Sequence, residues 1–223
     1  MPADVLALFD LDHTLLTLDS DDAWVEYLIG HGVIERAGFE QRNDRIVERY
    51  RKGEVGPLEF TEFYLSTFVG HPLAQLARWR TDYLEHCILP AIPASARAVV
   101  ATHYDRGDLC VLTTATNRFL SEPIAHELGF THVIATEPQM RDGGFTGKVD
   151  GVPNMRECKI ERLDAWLAGR GRGLADFRES WFYSDSLNDI PLLSRVTHPV
   201  AVNPDPVLAV LATKKRWPVI EIR

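Results

Sequence analysis

Two carboxylates two residues apart, Asp10 and Asp12, stand directly after the apolar run Val5-Leu6-Ala7-Leu8-Phe9, with Thr14 close behind. A second acidic cluster, Ser184-Asp185-Ser186-Leu187-Asn188-Asp189, follows another apolar run, Trp181-Phe182-Tyr183. Carboxylates just past buried parallel strands lie at the edge where open α/β sheets bind their ligands. Four of them at neighbouring strand ends would repel strongly unless a cation joined them. An all-oxygen donor set with retained waters favours Mg²⁺. Thr113-Thr114 closes a third run, Leu109-Cys110-Val111-Leu112, and supplies a hydroxyl beside backbone amides, a pairing suited to phosphate oxygens. Lys159, on the helical stretch before Trp181, can neutralise phosphate charge. Taken singly, the aspartates read as turn or helix-capping residues and Lys159 as a solvated charge. Taken together and in this order, they point to metal-assisted chemistry on a phosphate group.

Those residues need a scaffold that brings strand ends together. The runs at 5–9, 109–112, 181–183 and 199–202 are short and continuously apolar, as in strands buried on both faces of a parallel sheet. Helical periodicity separates them over 94–106, 121–128 and 156–167, and the alternation predicts an α/β, doubly wound core. Between about Thr17 and Ala91 the rhythm breaks. Apolar residues there recur at helical spacing, as in Trp24, Tyr27 and Leu28 or Phe60, Phe63 and Tyr64, punctuated by Gly53, Gly56-Pro57 and Gly70-His71-Pro72. This predicts an all-helical insertion after the first strand, seated over the strand ends, with residues 1–16 and 92–223 forming the core and 17–91 the insertion. Asp142-Gly143-Gly144 predicts a hairpin turn.

Composition narrows the class further. The 223 residues carry a formal charge of −8, which lacks the basic footprint of a nucleic-acid binder and gives no attraction to anionic membranes. Cys87, Cys110 and Cys158 form no CxxC pair, so free thiols are expected rather than disulfides or a zinc knuckle. The N-terminus has no basic residue ahead of its apolar run and makes a poor signal peptide. A soluble cytoplasmic protein, monomer or homodimer, acting on a small phosphorylated metabolite is the expectation.

In their order along nearly the whole chain, DLDHT at 10–14, Thr114 after a hydrophobic strand, Lys159 and SDSLND at 184–189 resemble the four motifs of the haloacid dehalogenase superfamily. The helical insertion and the Arg-Asp-Gly-Gly-Phe-Thr-Gly hairpin are most similar to the branch that contains phosphoserine phosphatase. The resemblance implies a Rossmann-like core with a helical cap. It also implies a Mg²⁺-dependent phosphatase that works through an aspartyl-phosphate. Asp10 would attack phosphorus, and Asp12 would protonate the leaving alcohol and then activate water. Asp10, the backbone carbonyl of Asp12 and Asp185 would hold Mg²⁺, with Asp189 supporting the metal through water or orienting Lys159. Thr114, the amides around Ala115, Lys159 and Asn188 would hold the phosphoryl oxygens. Asp12 also separates this chain from superfamily dehalogenases and transport ATPases, which lack an aspartate two residues after the nucleophile.

The chain departs from the family pattern in places that bear on substrate. Ser184 and Ser186 replace two glycines of the usual last motif. The cap glutamate and arginine that hold the amine and carboxylate of phosphoserine fall at Asp19 and near Glu62. A reversed charge at Glu62 would not grip a carboxylate. Asp19, Asp21 and Asp22 instead suit an amine without a carboxylate, as in histidinol phosphate or phosphoethanolamine. Asn117 and Arg118 lie close enough to the phosphate threonine to reach a substrate. His13 is expected to face away from the two key acids if strand geometry persists. A phosphotransferase or phosphomutase, and a catalytically silent binding protein on the same scaffold, are the rival readings.

Overall fold

The structure, a computed structural model, describes residues 3–223, so the first two residues of the expected core segment lie outside it. Six strands form one sheet: β1 (Val5–Phe9), β2 (Leu109–Asn117), β3 (Val133–Thr136), β6 (Glu179–Ser184), β7 (His198–Val202) and β8 (Val219–Ile220). Their order is β3-β2-β1-β6-β7-β8 and every pairing is parallel. All five residues of β1 are buried because helices cover both faces. Ala7 and Phe9 pack with α5 (Ala94–Asp105) and α6 (Arg118–Glu127). Leu6 and Leu8 pack with α7 (Glu157–Ala168), α8 (Ile190–Leu193) and α9 (Pro206–Lys215) on the other face. The chain adds strands to one side of β1 and then, from β6, to the other. That reversal opens a crevice beside the carboxyl end of β1.

Between β1 and α5 the described residues hold no strand. They form α1 (Ser20–Gly30), α2 (Arg36–Arg51), α3 (Pro57–Leu65) and α4 (Leu73–Tyr83), which continues through a π-type turn over Leu84–Ile88. Asp19 caps α1 by accepting from the Asp22 amide at 2.9 Å. Trp24 is fully buried against Tyr27, Phe68 and Tyr83, and its indole donates to Thr67 Oγ1. The antiparallel hairpin of β4 (Pro138–Arg141) and β5 (Gly144–Val149) packs on this helical segment. Asp142 and Gly143 both take positive φ at its turn, the geometry that favours Asp-Gly there. At Gly147, φ +77°, a Cβ would come within 2.8 Å of Val69, so the close approach requires glycine.

Four elements differ from the sequence reading. β3 and β8 are short, and β2 runs five residues beyond 112. The pairing of β2 with β3 shifts register between Thr113 and Asn117. The Asn154 amide covers the backbone groups involved, donating from Nδ2 to Thr114 O at 3.0 Å, Ile134 O at 2.9 Å and Thr113 Oγ1 at 3.0 Å. Asn154→Ala therefore leaves buried carbonyls unpaired and costs about 2–4 kcal/mol. A urea titration reads this as a lower midpoint at unchanged slope; an unchanged midpoint would remove Asn154 from this role. Lastly, α6 begins at Arg118 rather than Ser121, because Asn117 Oδ1 caps it by accepting from the Leu120 amide. Pro123 then lies inside the helix and cannot donate to Phe119 O. Arg80 of α4 donates to that carbonyl instead, at 2.9 Å, with its guanidinium 4.4 Å from the centre of the Phe119 ring.

Candidate active site

β1 and β6 are neighbours in register, with Phe9 beside Tyr183, so the residues after them emerge side by side. Asp10 N donates to Tyr183 O at 2.9 Å, which carries the pairing one residue past the strand. Asp10 and Asp185 thus stand at adjacent strand ends, around a cavity of about 140 Å³ that Asp12, Lys159 and Asn188 also line. Lys159, 2% exposed, reaches from α7 to Asp10 Oδ1 at 2.9 Å and Asp189 Oδ2 at 2.8 Å. Burial opposes its charge, but Asp10 and Asp189 outweigh that and raise its pKa.

The acids differ in what surrounds them. Burial pushes the Asp10 carboxyl up to about 7 against the pull of Lys159, and repulsion from Asp189 and Asp12 adds to the rise. Burial, then Asp10 and Asp189, push Asp185 to about 8. Asp12 Oδ1 accepts from Ser20 N at 2.8 Å, and Oδ2 accepts from Thr116 Oγ1 at 2.6 Å. Ser20 Oγ and Thr116 Oγ1 are themselves 3.0 Å apart. Asp189 Oδ2 accepts from Ser184 Oγ at 2.7 Å in addition to Lys159. The Asp185 amide donates to Thr14 Oγ1 at 3.0 Å.

These bonds define the surroundings of the expected metal ligands Asp10, Asp12, Asp185 and Asp189. Both side-chain oxygens of Asp12 and one of Asp189 are engaged by protein donors, and among the described residues no three His, Cys, Asp or Glu side chains converge in metal-binding geometry. Among the described residues Asp10, Asp185 and Asp189 each keep one carboxylate oxygen without a protein hydrogen bond. Five carboxylates and one buried lysine line the cavity, a deficit of positive charge, and burial first, then the acidic neighbours, raise the pKa values of Asp10 and Asp185. An oxygen-only donor set with that deficit fits a hard divalent cation.

The other expected residues divide. Ala115 and Asn188 line the cavity, and Asp19 lies on its rim. Thr114 is fully buried; its Oγ1 accepts from the Thr116 amide, and its proton is left to donate. Asn117 does not reach the cavity, since its amide caps α6 and donates to Asp21 Oδ1 at 3.3 Å. Arg118 is turned away by a bidentate ion pair with Glu137, Nε to Oε2 at 2.9 Å and Nη2 to Oε1 at 2.7 Å, and by a bond to Val133 O. Glu62 is likewise occupied, paired with Lys148 of β5 at 2.7 Å. His13 lies at the mouth of the cavity, because strand geometry ends at Phe9 and the chain turns with φ 53° at His13. Sequence reasoning missed Ser20 and Thr116, and it placed Thr14 and Ser184 in motifs without the contacts they make to Asp185 and Asp189.

Beyond the rim, an open groove of about 960 Å³ shares His13 and Asp19 with the cavity and is walled by Asp22, Glu26, Tyr27 and Asp82. Burial and then Asp12 hold the Asp19 and Asp21 carboxyls above their ordinary range, Asp21 at about 8. Asp22 accepts from Tyr64 Oη at 2.9 Å, and Glu26 is paired with Arg36.

A buried lysine clamped between aspartates, at the reversal point of a parallel sheet, is the arrangement of a hydrolase of the haloacid dehalogenase kind. Residues 7–194 match the haloacid dehalogenase-like hydrolase family, and the chain belongs to it. It is 39% identical over 219 residues to a histidinol-phosphatase of Neisseria meningitidis serogroup C, covering 98% of this chain and 99% of that one. It is 31% identical over 159 residues to a phosphoserine phosphatase of Mycobacterium tuberculosis, covering 71% of this chain and 51% of that protein. A solved protein of unknown function from Bordetella pertussis Tohama I superposes with a TM-score of 0.93 at 46% identity, over 98% of each chain. A substrate-bound phosphoserine phosphatase shares the fold at a TM-score of 0.67 and 19% identity, over 99% of this chain and 93% of that one. The chain is an enzyme of the phosphatase class. No helix among the described residues is long and apolar enough to cross a membrane.

Proposed function

We propose that this protein is a Mg²⁺-dependent, cytosolic phosphomonoesterase for a small amine-bearing ester, histidinol phosphate foremost, with residues 17–91 acting as a cap over the core. The observation that carries the chemistry is the buried Lys159 holding Asp10 Oδ1, while Asp10 lines the cavity and its Oδ2 takes no hydrogen bond among the described residues. Oδ2 attacks phosphorus, the phosphorus–ester oxygen bond breaks, and the leaving oxygen takes a proton from Asp12. Asp12 then removes a proton from water, whose oxygen displaces the Asp10 carboxylate from phosphorus and releases phosphate. The Ser20 amide and the Thr116 hydroxyl hold the Asp12 carboxyl in position for both transfers. Lys159, Asn188 and the backbone around Ala115 receive the phosphoryl oxygens. Asp10, the carbonyl of Asp12 and Asp185 would hold Mg²⁺, which supplies charge neutralisation when bound.

The substrate reading rests on the acidic rim of Asp19 and Asp22 and on the histidinol-phosphatase relative. It is tested by phosphate release from histidinol phosphate, phosphoethanolamine, phosphoserine and sugar phosphates, with Mg²⁺ or EDTA. Histidinol phosphate is the best ester, and EDTA abolishes its turnover. Asparagine caps a helix as well as aspartate does, so Asp19→Asn removes only the charge. It raises KM for histidinol phosphate about 10-fold more than for p-nitrophenyl phosphate, the equivalent of about 1.4 kcal/mol. A sugar phosphate as best ester would overturn the amine reading. Phosphate passed to an acceptor other than water would make the enzyme a transferase, and no Mg²⁺-dependent release at all would favour a silent scaffold.

A further inference from the structure

Arg156 stands immediately before α7, three residues ahead of Lys159, and does not itself line the cavity. Its φ of 53° and ψ of −131° form a backbone conformation that L residues other than glycine seldom adopt. A side chain is retained there, and it makes two contacts. The guanidinium lies 4.4 Å from the centre of the Tyr50 ring on α2, within cation–π range. Its Nε donates to Asn188 Oδ1 at 3.1 Å. Tyr50 is set in place by Phe60, with ring centroids 4.6 Å apart, and by Met155, whose Sδ accepts from its hydroxyl at 3.6 Å.

The second contact has a chemical consequence. An Asn side chain carries one acceptor and one donor end. Arginine can only donate, so it selects the amide orientation in which Oδ1 faces the guanidinium and Nδ2 points away. Among the described residues Nδ2 has no protein partner, and Asn188 lines the cavity where a phosphoryl group would sit.

We propose that Arg156 is a positioning residue: seated on the Tyr50 ring of the helical segment, it fixes the Asn188 amide with Nδ2 toward the phosphoryl oxygens. Phosphate binding is thereby tied to the packing of α2 on the core. This rests on the phosphatase reading for the role of the cavity. The strained backbone is kept because glycine, which would relieve it, has no side chain to hold Asn188.

The test uses the full-length protein with Mg²⁺. It reads kcat and KM for histidinol phosphate and p-nitrophenyl phosphate, the Kd for inorganic phosphate by calorimetry, and Tm. Arg156→Met and Asn188→Ala each lower kcat/KM and weaken phosphate binding about 10-fold, and the double variant loses about 10-fold rather than 100-fold. Arg156→Gly keeps or raises Tm, because glycine accepts positive φ, yet loses activity like Arg156→Met. Tyr50→Phe recovers most of what Tyr50→Leu loses, since the ring rather than the hydroxyl meets the guanidinium. Multiplicative losses in the double variant, or Arg156→Gly with the wild-type phosphate Kd, would overturn the inference and leave Arg156 an anchor of the fold. A wild-type protein inert toward every ester sinks the phosphatase reading instead. The phosphate Kd of the variants then still decides the role of Arg156.

Discussion

Asp10→Asn lowers kcat on the best ester by on the order of 10⁴-fold, the scale of losing the covalent nucleophile. The substitution keeps the shape of the side chain, and Lys159 can still donate to the remaining oxygen at the Oδ1 position. What disappears is the carboxylate that attacks phosphorus. Thermal stability holds or rises, because burial raises the Asp10 pKa and the neutral amide avoids that cost. The measurement is phosphate release by protein purified freshly enough that deamidation has not regenerated Asp10, checked by intact mass. Release within 10-fold of wild type by protein shown to be the asparagine form would remove Asp10 from the nucleophile position.

Lys159→Met has a smaller effect on rate and a larger one on the fold. Lys159 is the cation for two carboxylates, with the side chains 3%, 10% and 4% exposed for Lys159, Asp10 and Asp189. Removing one partner of a buried ion pair costs about 3–5 kcal/mol, because the carboxylates left behind must protonate or draw in water. At about 2–4 °C per kcal/mol for a chain of this size, Tm falls by about 6–20 °C. Activity falls by on the order of 10²–10³-fold, as a donor to the developing phosphoryl charge is lost. Lys159→Met combined with Asp189→Leu removes one stranded acid and recovers part of the Tm without recovering activity. Differential scanning calorimetry and phosphate release on both variants separate the two roles. A Tm within about 2 °C of wild type for Lys159→Met would show that the pairing does not support the fold.

Asp10 and Asp185 were legible because the signal for each is local. An apolar run long enough for one buried strand ends at the residue, and parallel strands that share a sheet must bring such ends to one edge. The hairpin was legible for the same reason, Asp142 and Gly143 being residues that tolerate positive φ. The helical character of the segment after β1 showed in its 3.6-residue spacing of aromatic residues. β3 and β8 escaped detection, since four and two residues at the sheet's margins are too short to establish a period.

The supports of the site were not legible. Thr116 reaches Asp12 across 104 positions, and Thr14 reaches Asp185 across 171. Nothing in the neighbourhood of a threonine announces such a partner. Arg118 shows the converse: its place in the chain, next to the phosphate-binding turn, suggested contact with substrate, and Glu137, 19 positions away, holds it elsewhere. Where β1 and β6 end, the helical character of the segment after β1, and the acids Asp10 and Asp185 at the cavity were legible, because backbone conformation and burial there follow from residues within one or two turns. Long-range contacts settle which oxygen each acid keeps free, that Arg80 replaces Pro123 as the donor to Phe119 O, and that Arg156 Nε meets Asn188 Oδ1. Those depend on the directions of donors and acceptors, and the fold alone brings such groups within 3 Å of one another.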